Sequence, residues 1–367
     1  MRAVAVFPAE RQVRLVSHPD PQILSPTQVL VRVLEVGLCG TDREIATFRH
    51  GTPPPEEPYL VPGHEALGQV EDVGSSVHRI QPGQLVVPTV RRPCRSEDCR
   101  ACRMGRPDFC TSGGFSERGI WGAHGFLAER VVDDVRWLHQ VPSELHDVGV
   151  LAEPLAIAEA ALLELERTQR RLPWAALGEG SGSGRRAVVL GAGPVALLGA
   201  MALLVRGYRT TVYSQGARGT RSLFAESLGA EFVSAEEDRF ESVARRIGNI
   251  DVMLEATGAT PMALAALEQL GRNGVYLLIG VPGRRGAITL EAGEVLHNLV
   301  ERNQVLLGTV NPSAEAFRAA VQDLALFARR WPTVLPSLVA SRHELDEAPE
   351  LLLQRSSGLK RVVVLRR

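Results

Sequence analysis

The sequence predicts a two-domain α/β protein, in which a mostly β domain is followed by a doubly wound parallel sheet. The chain has 367 residues, more than twice the roughly 150 of a typical single domain. Short apolar segments broken by Gly and Pro extend from Met1 to about Ile157, which indicates a β domain. From Ala187 onward, apolar strands alternate with segments of helical length, an order typical of a parallel sheet.

The elements of the first domain follow from the spacing of apolar residues. Alternation of period two predicts strands at residues 28–34 and 68–73. Apolar spacing of helical period predicts a helix from about residue 151 to residue 170. The Gly/Ser-rich stretch 178–184 predicts a flexible surface loop after that helix.

The second domain is predicted from six short apolar runs, most of them separated by segments of helical length. These runs are residues 187–190, 210–213, 231–234, 250–254, 275–279 and 305–310. Six strands alternating with helices favour a doubly wound sheet. The tail from Ser313 predicts an amphipathic helix and a last strand at 361–365, which returns to the first domain. We therefore expect one domain at 1–184 with 312–367, and the other at 185–311.

Composition and charge exclude several classes of protein. Lys and Arg total 41 against 42 Asp and Glu, a formal net charge of -1, and no run of like charges reaches five residues. We therefore expect no binding to nucleic acid or to an anionic membrane surface. The stretch 187–205 is uncharged over 19 residues, but its three glycines and Pro194 argue against a membrane span. Because the segment after Met1 is a poor apolar core for a signal peptide, we expect a cytoplasmic protein.

A glycine-rich turn opens the second domain. The motif from Gly191 to Ala196 follows a strand and begins a helix, and it has the G-x-G-x-x-A pattern of dinucleotide-binding sites. We expect Gly191, Gly193, Pro194 and Val195 to contact the cofactor, because such glycines let the backbone approach a pyrophosphate at the helix N-terminus. The alternative is a Gly-rich turn in a generic sheet.

The end of the next strand predicts the choice of nicotinamide cofactor. A carboxylate that binds the ribose 2′-hydroxyl is expected near Ser214 or Gln215, but residues 210–225 contain no Asp or Glu. Arg218 and Arg221 stand there instead, and a guanidinium pairs well with a 2′-phosphate. We expect NADP to be preferred and NAD to be possible. The alternative is that both arginines are solvated residues on a helix face.

Cysteine spacing predicts a structural zinc site. Four of the five cysteines lie within a single loop, at Cys94, Cys99, Cys102 and Cys110. Four thiolates can close a tetrahedral zinc site and leave no open position for chemistry. We expect this lobe to cover about residues 91–111. Two disulfides or unmetallated thiols are the alternatives.

A dispersed set of metal-ligand types predicts a second zinc site. Cys39, His64, Glu65 and Glu153 supply the Cys, His and carboxylate groups that hold catalytic zinc with one open position. We expect two zinc ions per chain. The other histidines, such as His139, are interpreted as structural residues.

Together these residues resemble the zinc-dependent medium-chain dehydrogenase/reductase superfamily over essentially the whole chain, and within it the glucose (aldose) 1-dehydrogenase branch. The stretches that carry the resemblance are residues 39–44, 63–65, 91–94, 105–110, 117–120, 123–126, 152–155, 191–196, 256–258 and 308–311. It implies a GroES-like catalytic domain, a Rossmann domain, and transfer of hydride from the C1 hydroxyl of an aldose to NAD(P), which gives a lactone.

The resemblance also implies roles for individual residues near the metal. Catalytic zinc would bind Cys39 and His64, with Glu65 or Glu153 completing the set. Thr41 would contact the reacting hydroxyl. Glu44 stands where related alcohol dehydrogenases carry the His that ends a proton relay.

Substrate and cofactor contacts follow from the same resemblance. Glu117, Glu153 and Asn311 match positions that hold sugar hydroxyls. Thr257 and Gly258, together with Asn311, are expected to contact the cofactor. The branch also implies a homodimer or homotetramer, formed through the edge strand near residues 305–310.

Three residues depart from the sugar-specific pattern. Val90 and Ile157 are apolar where some relatives carry Asn or Asp, and Glu301 stands where a His occurs. An absent polar partner weakens discrimination among sugars. The alternative is therefore a dehydrogenase of a polyol, a cyclitol or another secondary alcohol. A catalytically silent cofactor-binding protein is a remote alternative.

Overall fold

The computed structural model describes residues 1–175, 180–283, 286–355 and 358–365, and it has the expected two-domain α/β architecture. The chain divides into two compact units. Unit 1 consists of Met1–Glu153, Asn311–Ala328 and Leu335–Arg367. Unit 2 consists of Pro154–Val310 and Arg329–Val334.

The first unit boundary differs from the limit at residue 184 that the sequence suggested. Most of the helix after Glu153 belongs to unit 2. Its Glu159 carboxylate pairs with Arg206 at 2.7 Å, and a side chain at Gly199 would contact Ala158. The boundary lies earlier because this helix packs against the helix that contains Gly199 and has Arg206 as its C-cap, which belongs to unit 2.

Unit 1 begins with strands and two short helices. The strands are β1 (Arg2–Phe7), β2 (Gln12–Ser17), β3 (Gln28–Leu38), β4 (Glu65–Val73), β5 (Leu85–Pro88), β6 (Arg91–Arg92), β7 (Ser116–Arg118), β8 (Gly122–Ala123), β9 (Arg130–Asp134) and β10 (Leu138–Val141). The helices are α1 (Gly40–Ala46) and α2 (Arg100–Arg103). The mostly β character is as expected.

Unit 2 alternates strands and helices, beginning with the helix that crosses the boundary. The helices are α3 (Ala152–Gln169), α4 (Pro194–Val205), α5 (Thr220–Ser227), α6 (Phe240–Ile247), α7 (Thr260–Leu267) and α8 (Ala292–Glu301). The strands are β11 (Arg186–Leu190), β12 (Arg209–Ser214), β13 (Glu231–Ser234), β14 (Val252–Glu255), β15 (Val275–Leu278) and β16 (Val305–Gly308).

The chain ends with elements that rejoin unit 1. They are α9 (Ala314–Arg330), β17 (Val339–Glu344), α10 (Ala348–Leu353) and β18 (Lys360–Val364). The main sheet of unit 1 has the order β10-β5-β4-β3-β18-β17, and β9 also pairs with β3. The returning strand β18 pairs antiparallel with β3, with Arg361 opposite Leu38. This pairing places the last strand beside the start of α1.

The sheet of unit 2 is parallel throughout, with the order β13-β12-β11-β14-β15-β16. The order reverses between β11 and β14, and ligands of such sheets bind at this switch point. The strands β11 and β14 are almost fully buried, which explains why their sequences are nearly continuous apolar runs.

The described part of the Gly/Ser-rich stretch, residues 180–184, is a turn with three exposed and two buried residues, so the segment predicted as a surface loop is partly packed. Gly178 and Glu179 lie outside the described residues. Ser181 is buried, and the Gly182 N–H donates to the Arg206 carbonyl. A Cβ on Gly182 would lie 2.2 Å from Tyr208 Cδ2. Small residues are needed here because the turn packs against that ring.

None of the described helices combines the length and the apolarity that a membrane crossing requires. The uncharged stretch 187–205 instead forms most of β11, the glycine turn and α4.

Candidate active site

The Cys39 sulfur is fixed at the N-terminus of α1. Strand β3 ends at Leu38, and Cys39 is the N-cap of the helix. The Thr41 N–H donates to Cys39 Sγ at 3.3 Å. The Cys39 N–H in turn donates to Asp42 Oδ2 at 2.9 Å. This reciprocal cap orients the sulfur without using the side chain of Thr41.

Asp42 also reaches the predicted histidine ligand. The Gly63 N–H donates to Asp42 Oδ1 at 3.1 Å, and the same oxygen lies 3.3 Å from His64 Nδ1. Burial alone would lower the pKa of His64, but Asp42 and Cys39 raise that pKa well above its usual value. A carboxylate behind a ligating histidine fixes the orientation of its ring.

Glu65 is paired with a lysine from the other end of the chain. Lys360 Nζ lies 2.6 Å from both carboxylate oxygens of Glu65, and both side chains are buried. Burial would lower the pKa of Lys360, but Glu65 and Cys39 raise it. Gly37, opposite Glu65 in the sheet, has no side chain, and a Cβ there would lie 2.2 Å from Glu65 Oε2.

The donors of Cys39, His64 and Glu65 fit a zinc ion. Their ligand atoms lie within 4.8 Å of one another. A thiolate, an imidazole and a carboxylate form the three-donor set that leaves zinc an open position.

Glu153, the other carboxylate considered, is buried at the start of α3. Burial, together with the charge of Glu65, raises its pKa to about 7 against the opposing effects of His64 and Lys360. It lies outside the three-donor group, but its charge interacts with that group.

The four cysteines of the lobe form a second donor set. Their sulfurs lie within 4.8 Å of one another, and the sulfurs of Cys99 and Cys110 are 3.8 Å apart. With zinc–sulfur bonds of roughly 2.3 Å, a tetrahedral site requires about this spacing. All five cysteines of the chain are free thiols. N–H donors of Cys102 and Thr111 help to lower the pKa of Cys99 to about 5, whereas burial raises the pKa of Cys102 to about 12. The thiolate that binds metal is therefore favoured at Cys99 and disfavoured at Cys102 in the metal-free lobe.

The predicted substrate residues of unit 1 are partly brought together. Asn311 Nδ2 donates to Glu117 Oε1 at 2.8 Å, although the two residues are 194 positions apart. Thr41 and Glu44 are half-buried on α1. Glu153 begins α3, as described above.

The three departing residues have different surroundings. Val90 is buried in an apolar cluster with Ile45, Leu60 and Ile120. Ile157 is half-buried in α3, and Glu301 is exposed at the end of α8.

The glycine turn of unit 2 forms one wall of a cavity of about 220 Å³. Most of the predicted cofactor residues line it, namely Gly191, Gly193, Ser214, Gln215, Arg221 and Thr257. Gly193 is the N-cap of α4 and has open space where a Cβ would stand. Pro194 and Val195 follow as the first helical residues. This cradle suits a pyrophosphate at the helix N-terminus.

A buried carboxylate holds the backbone around Thr257, which also lines the cavity. Glu255 Oε1 accepts hydrogen bonds from the N–H groups of Thr257 and Gly258, at 2.6 and 3.0 Å. Gly258 adopts a φ of +63°, which glycine tolerates best. Glu255 was not predicted as a functional residue, although its position at the end of a buried apolar strand was a usable signal.

The two predicted arginines are in different surroundings. Arg218 is exposed and pairs with Glu237 and Glu226, and it does not line the cavity. Arg221 lines the cavity beside Ser214 and Gln215. No Asp or Glu lines that cavity in the described part of the chain. Asn311, also assigned to the cofactor, belongs to unit 1.

Comparison with known proteins identifies the family. Residues 146–365 match the family model "Glucose dehydrogenase C-terminus", and residues 25–143 match "Alcohol dehydrogenase GroES-like domain". The chain is 35% identical to glucose 1-dehydrogenase of Methanocella arvoryzae over 99% of both chains. The chain belongs to the glucose dehydrogenase family. This family is part of the zinc-dependent medium-chain dehydrogenase/reductase superfamily.

Two further relatives agree with this assignment. Glucose 1-dehydrogenase of Thermoproteus tenax is 38% identical over 88% of both chains. The structure of Haloferax mediterranei glucose dehydrogenase in complex with NADP, Zn and gluconolactone matches with a TM-score of 0.88 and 32% identity, covering 100% of both chains. A galactitol-1-phosphate dehydrogenase from Escherichia coli, at 21% identity and a TM-score of 0.80, shares the fold.

Proposed function

We propose that this protein oxidises the C1 hydroxyl of an aldose such as D-glucose, transfers the hydride to NADP, and releases a lactone. The observation that carries the proposal is the buried donor set of Cys39, His64 and Glu65. It occurs in a chain that is similar over 99% of its length to a glucose 1-dehydrogenase.

Residues of α1 are assigned to the reacting hydroxyl. When bound, zinc supplies a charge that lowers the pKa of a hydroxyl, and NADP supplies the hydride acceptor. The Thr41 side chain is assigned to accept the proton of that hydroxyl. Glu44 stands three residues later, on the same face of the helix, and is assigned to pass the proton toward solvent.

Polar side chains of unit 1 are assigned to the other sugar hydroxyls. Glu117 and Asn311 are hydrogen-bonded to each other, so a single substrate can contact both. Glu153 is assigned to the substrate or to the zinc, as the alternative to Glu65. Each hydrogen bond that a wrong substrate fails to make costs about 1 kcal/mol of discrimination.

The cavity of unit 2 is assigned to NADP, with NAD as a poorer substitute. Arg221 is assigned to bind the 2′-phosphate because it lines the cavity. Ser214 and Gln215 add polar groups beside it. Arg218 is already paired with two carboxylates, so its contribution is smaller.

A polyol or other secondary alcohol is the second candidate substrate. Val90 and Ile157 favour it, because they are apolar where some sugar-specific relatives carry Asn or Asp. The chemistry at the metal is the same for both substrate classes.

A homodimer or homotetramer and a cytoplasmic location are proposed as well. Large apolar side chains are exposed on α8 and on or near the edge strand β16, namely Leu296, Val300, Leu306 and Val310. A sheet edge of this kind can pair with a second copy. Light scattering after size exclusion measures the assembly.

The cytoplasmic location is proposed because free cysteines suit a reducing compartment.

The test of function follows nicotinamide absorbance with zinc-loaded protein, using NADP or NAD and a panel of aldoses, polyols and secondary alcohols. Reduction of NADP with D-glucose or an epimer supports the proposal. Reduction of the cofactor with polyols but with no aldose supports the second candidate substrate instead. No reduction with any substrate, in protein that holds zinc and NADP, indicates a silent cofactor-binding protein.

Cys39→Ser should lose one zinc per chain and at least about 100-fold in kcat/KM, because outer-shell changes alone cost 10 to 100-fold.

A further inference from the structure

Arg91 is a nearly buried cation that belongs to neither of the two zinc donor sets and does not line the cofactor cavity. Its side chain is 11% exposed, and that of its partner Glu117 is 13% exposed. The two residues stand directly opposite each other in the antiparallel pair of β6 and β7. A buried arginine of this kind requires a specific partner, because an unpaired charge is costly there.

The guanidinium engages only one oxygen of Glu117. Arg91 Nε and Nη2 donate to Oε1 at 3.1 and 3.0 Å, and Asn311 Nδ2 donates to the same oxygen at 2.8 Å. No side chain or backbone group among the described residues donates a hydrogen bond to Oε2. Oε1 is therefore held by three donors, which leaves Oε2 as the oxygen with acceptor capacity for a further group.

The same guanidinium group also contacts the four-cysteine lobe. Its Nη1 donates to the Asp108 carbonyl at 3.3 Å, two residues before Cys110. The guanidinium carbon lies 3.7 Å from the centre of the Phe115 ring, within the range of a cation–π contact. The arginine is therefore held from three directions before any substrate binds.

We propose that Arg91 is a positioning residue for sugar recognition, and that it anchors the Glu117 carboxylate to the four-cysteine lobe. Arg91 touches no substrate itself. It turns Oε2 of Glu117 toward a substrate hydroxyl, and the lobe thereby contributes to specificity as well as to stability. This inference rests on the proposed function, because it takes Glu117 as a sugar contact.

The first test is Arg91→Lys, which keeps the charge but loses the fork of donors. The KM for D-glucose should rise about tenfold while kcat changes much less, because Glu117 binds the hydroxyl equally before and during the reaction. The Kd for NADPH, measured by fluorescence, and the zinc content should stay unchanged. Arg92→Lys is the matched control, since Arg92 lies in the same strand and pairs with Asp133 instead.

The second test is a double-mutant cycle with Glu117→Ala. If Arg91 acts through Glu117, Arg91→Lys should raise KM less than about twofold in the Glu117→Ala background. If Glu117→Ala does not fold, monodeoxy-glucose analogues replace it. Arg91→Lys should then leave KM unchanged for the analogue that lacks the hydroxyl bound by Glu117.

The outcomes separate this inference from the proposed function. Wild-type protein that oxidises no aldose contradicts the proposed function, and the inference fails with it. Wild-type turnover of glucose, combined with additive effects of the two substitutions, contradicts the inference alone. An equal KM change in Arg92→Lys also contradicts it, because that result indicates a general structural effect.

Discussion

Two buried side chains that are not predicted ligands support the metal site at the residue scale. Asp42 lies behind Cys39 and His64, and Lys360 pairs with Glu65. The ligands were predictable because each stands in a short motif. Lys360 was not, since it lies 295 positions from Glu65 and its local sequence is that of an ordinary strand. Only the pairing of β18 with β3 brings it to the site.

Lys360→Met should destabilise the protein by about 3 kcal/mol, because it leaves the Glu65 carboxylate buried without its counter-ion. Thermal unfolding of the variant and the wild type measures the effect. The double variant Glu65→Gln/Lys360→Met is the control and should recover part of the loss. Unfolding of the single variant at the wild-type temperature would show that the pair contributes nothing.

Arg221→Ala should weaken NADP binding about tenfold or more and leave NAD binding nearly unchanged, because a charge-assisted hydrogen bond to the 2′-phosphate is lost. Titration of both cofactors by fluorescence measures the change. Arg218→Ala is the matched control and should have the smaller effect, because Glu226 and Glu237 already occupy that guanidinium. A larger loss in Arg218→Ala would reverse the assignment.

At the element scale, the strands of unit 2 were predictable because buried parallel strands are continuous apolar runs bounded by Gly and polar turns. Strand β17 was not predicted. Its residues alternate in burial, but four polar or charged side chains follow in succession, at residues 341–344. Such a segment joins the sheet through pairing with β18, which its local sequence does not reveal.

The turn at Gly182 gives a stability prediction for a segment whose packing the sequence does not reveal. Gly182→Ala should cost about 1–3 kcal/mol, because the new Cβ overlaps the Tyr208 ring and forces the turn to move. Gly293→Ala in α8 is the control, with open space around its Cβ, and should be neutral or stabilising. Chemical denaturation compares the two variants. Equal stability of both would contradict the packed turn.

At the scale of the whole molecule, a buried histidine links stability to pH. His139 is buried and stacks on Phe317, with ring centroids 5.4 Å apart. Burial lowers its pKa to about 4, with Arg318 and Arg79 adding to the shift. In the unfolded chain this pKa is about 6.5. The unfolded state therefore takes up the proton first as the pH falls.

This contribution to stability is complete above pH 6.5 and declines as the pH falls toward 4, by about 3 kcal/mol in total. His139→Phe keeps the ring stack and removes the titration. Between pH 7 and pH 5, wild-type protein should lose about 2 kcal/mol more of its unfolding free energy than the variant loses. Replacement of the exposed His50 by Phe should leave the wild-type profile intact. Parallel profiles for wild type and His139→Phe would contradict the prediction.

The two-domain class was predictable from the whole sequence because the change from β alternation to strand–helix alternation is a long-range pattern. The unit boundary was not, since it depends on the packing of α3 against α4.

The central claim is that hydride leaves C1 of an aldose, and it is tested most directly with D-glucose deuterated at C1. Zinc-loaded protein is incubated with this sugar and NADP, and the reduced cofactor is analysed by mass spectrometry. Our account predicts NADPH that carries one deuterium, together with gluconolactone or its hydrolysis product. Reduced cofactor without deuterium, or a sugar oxidised at another carbon, would contradict it.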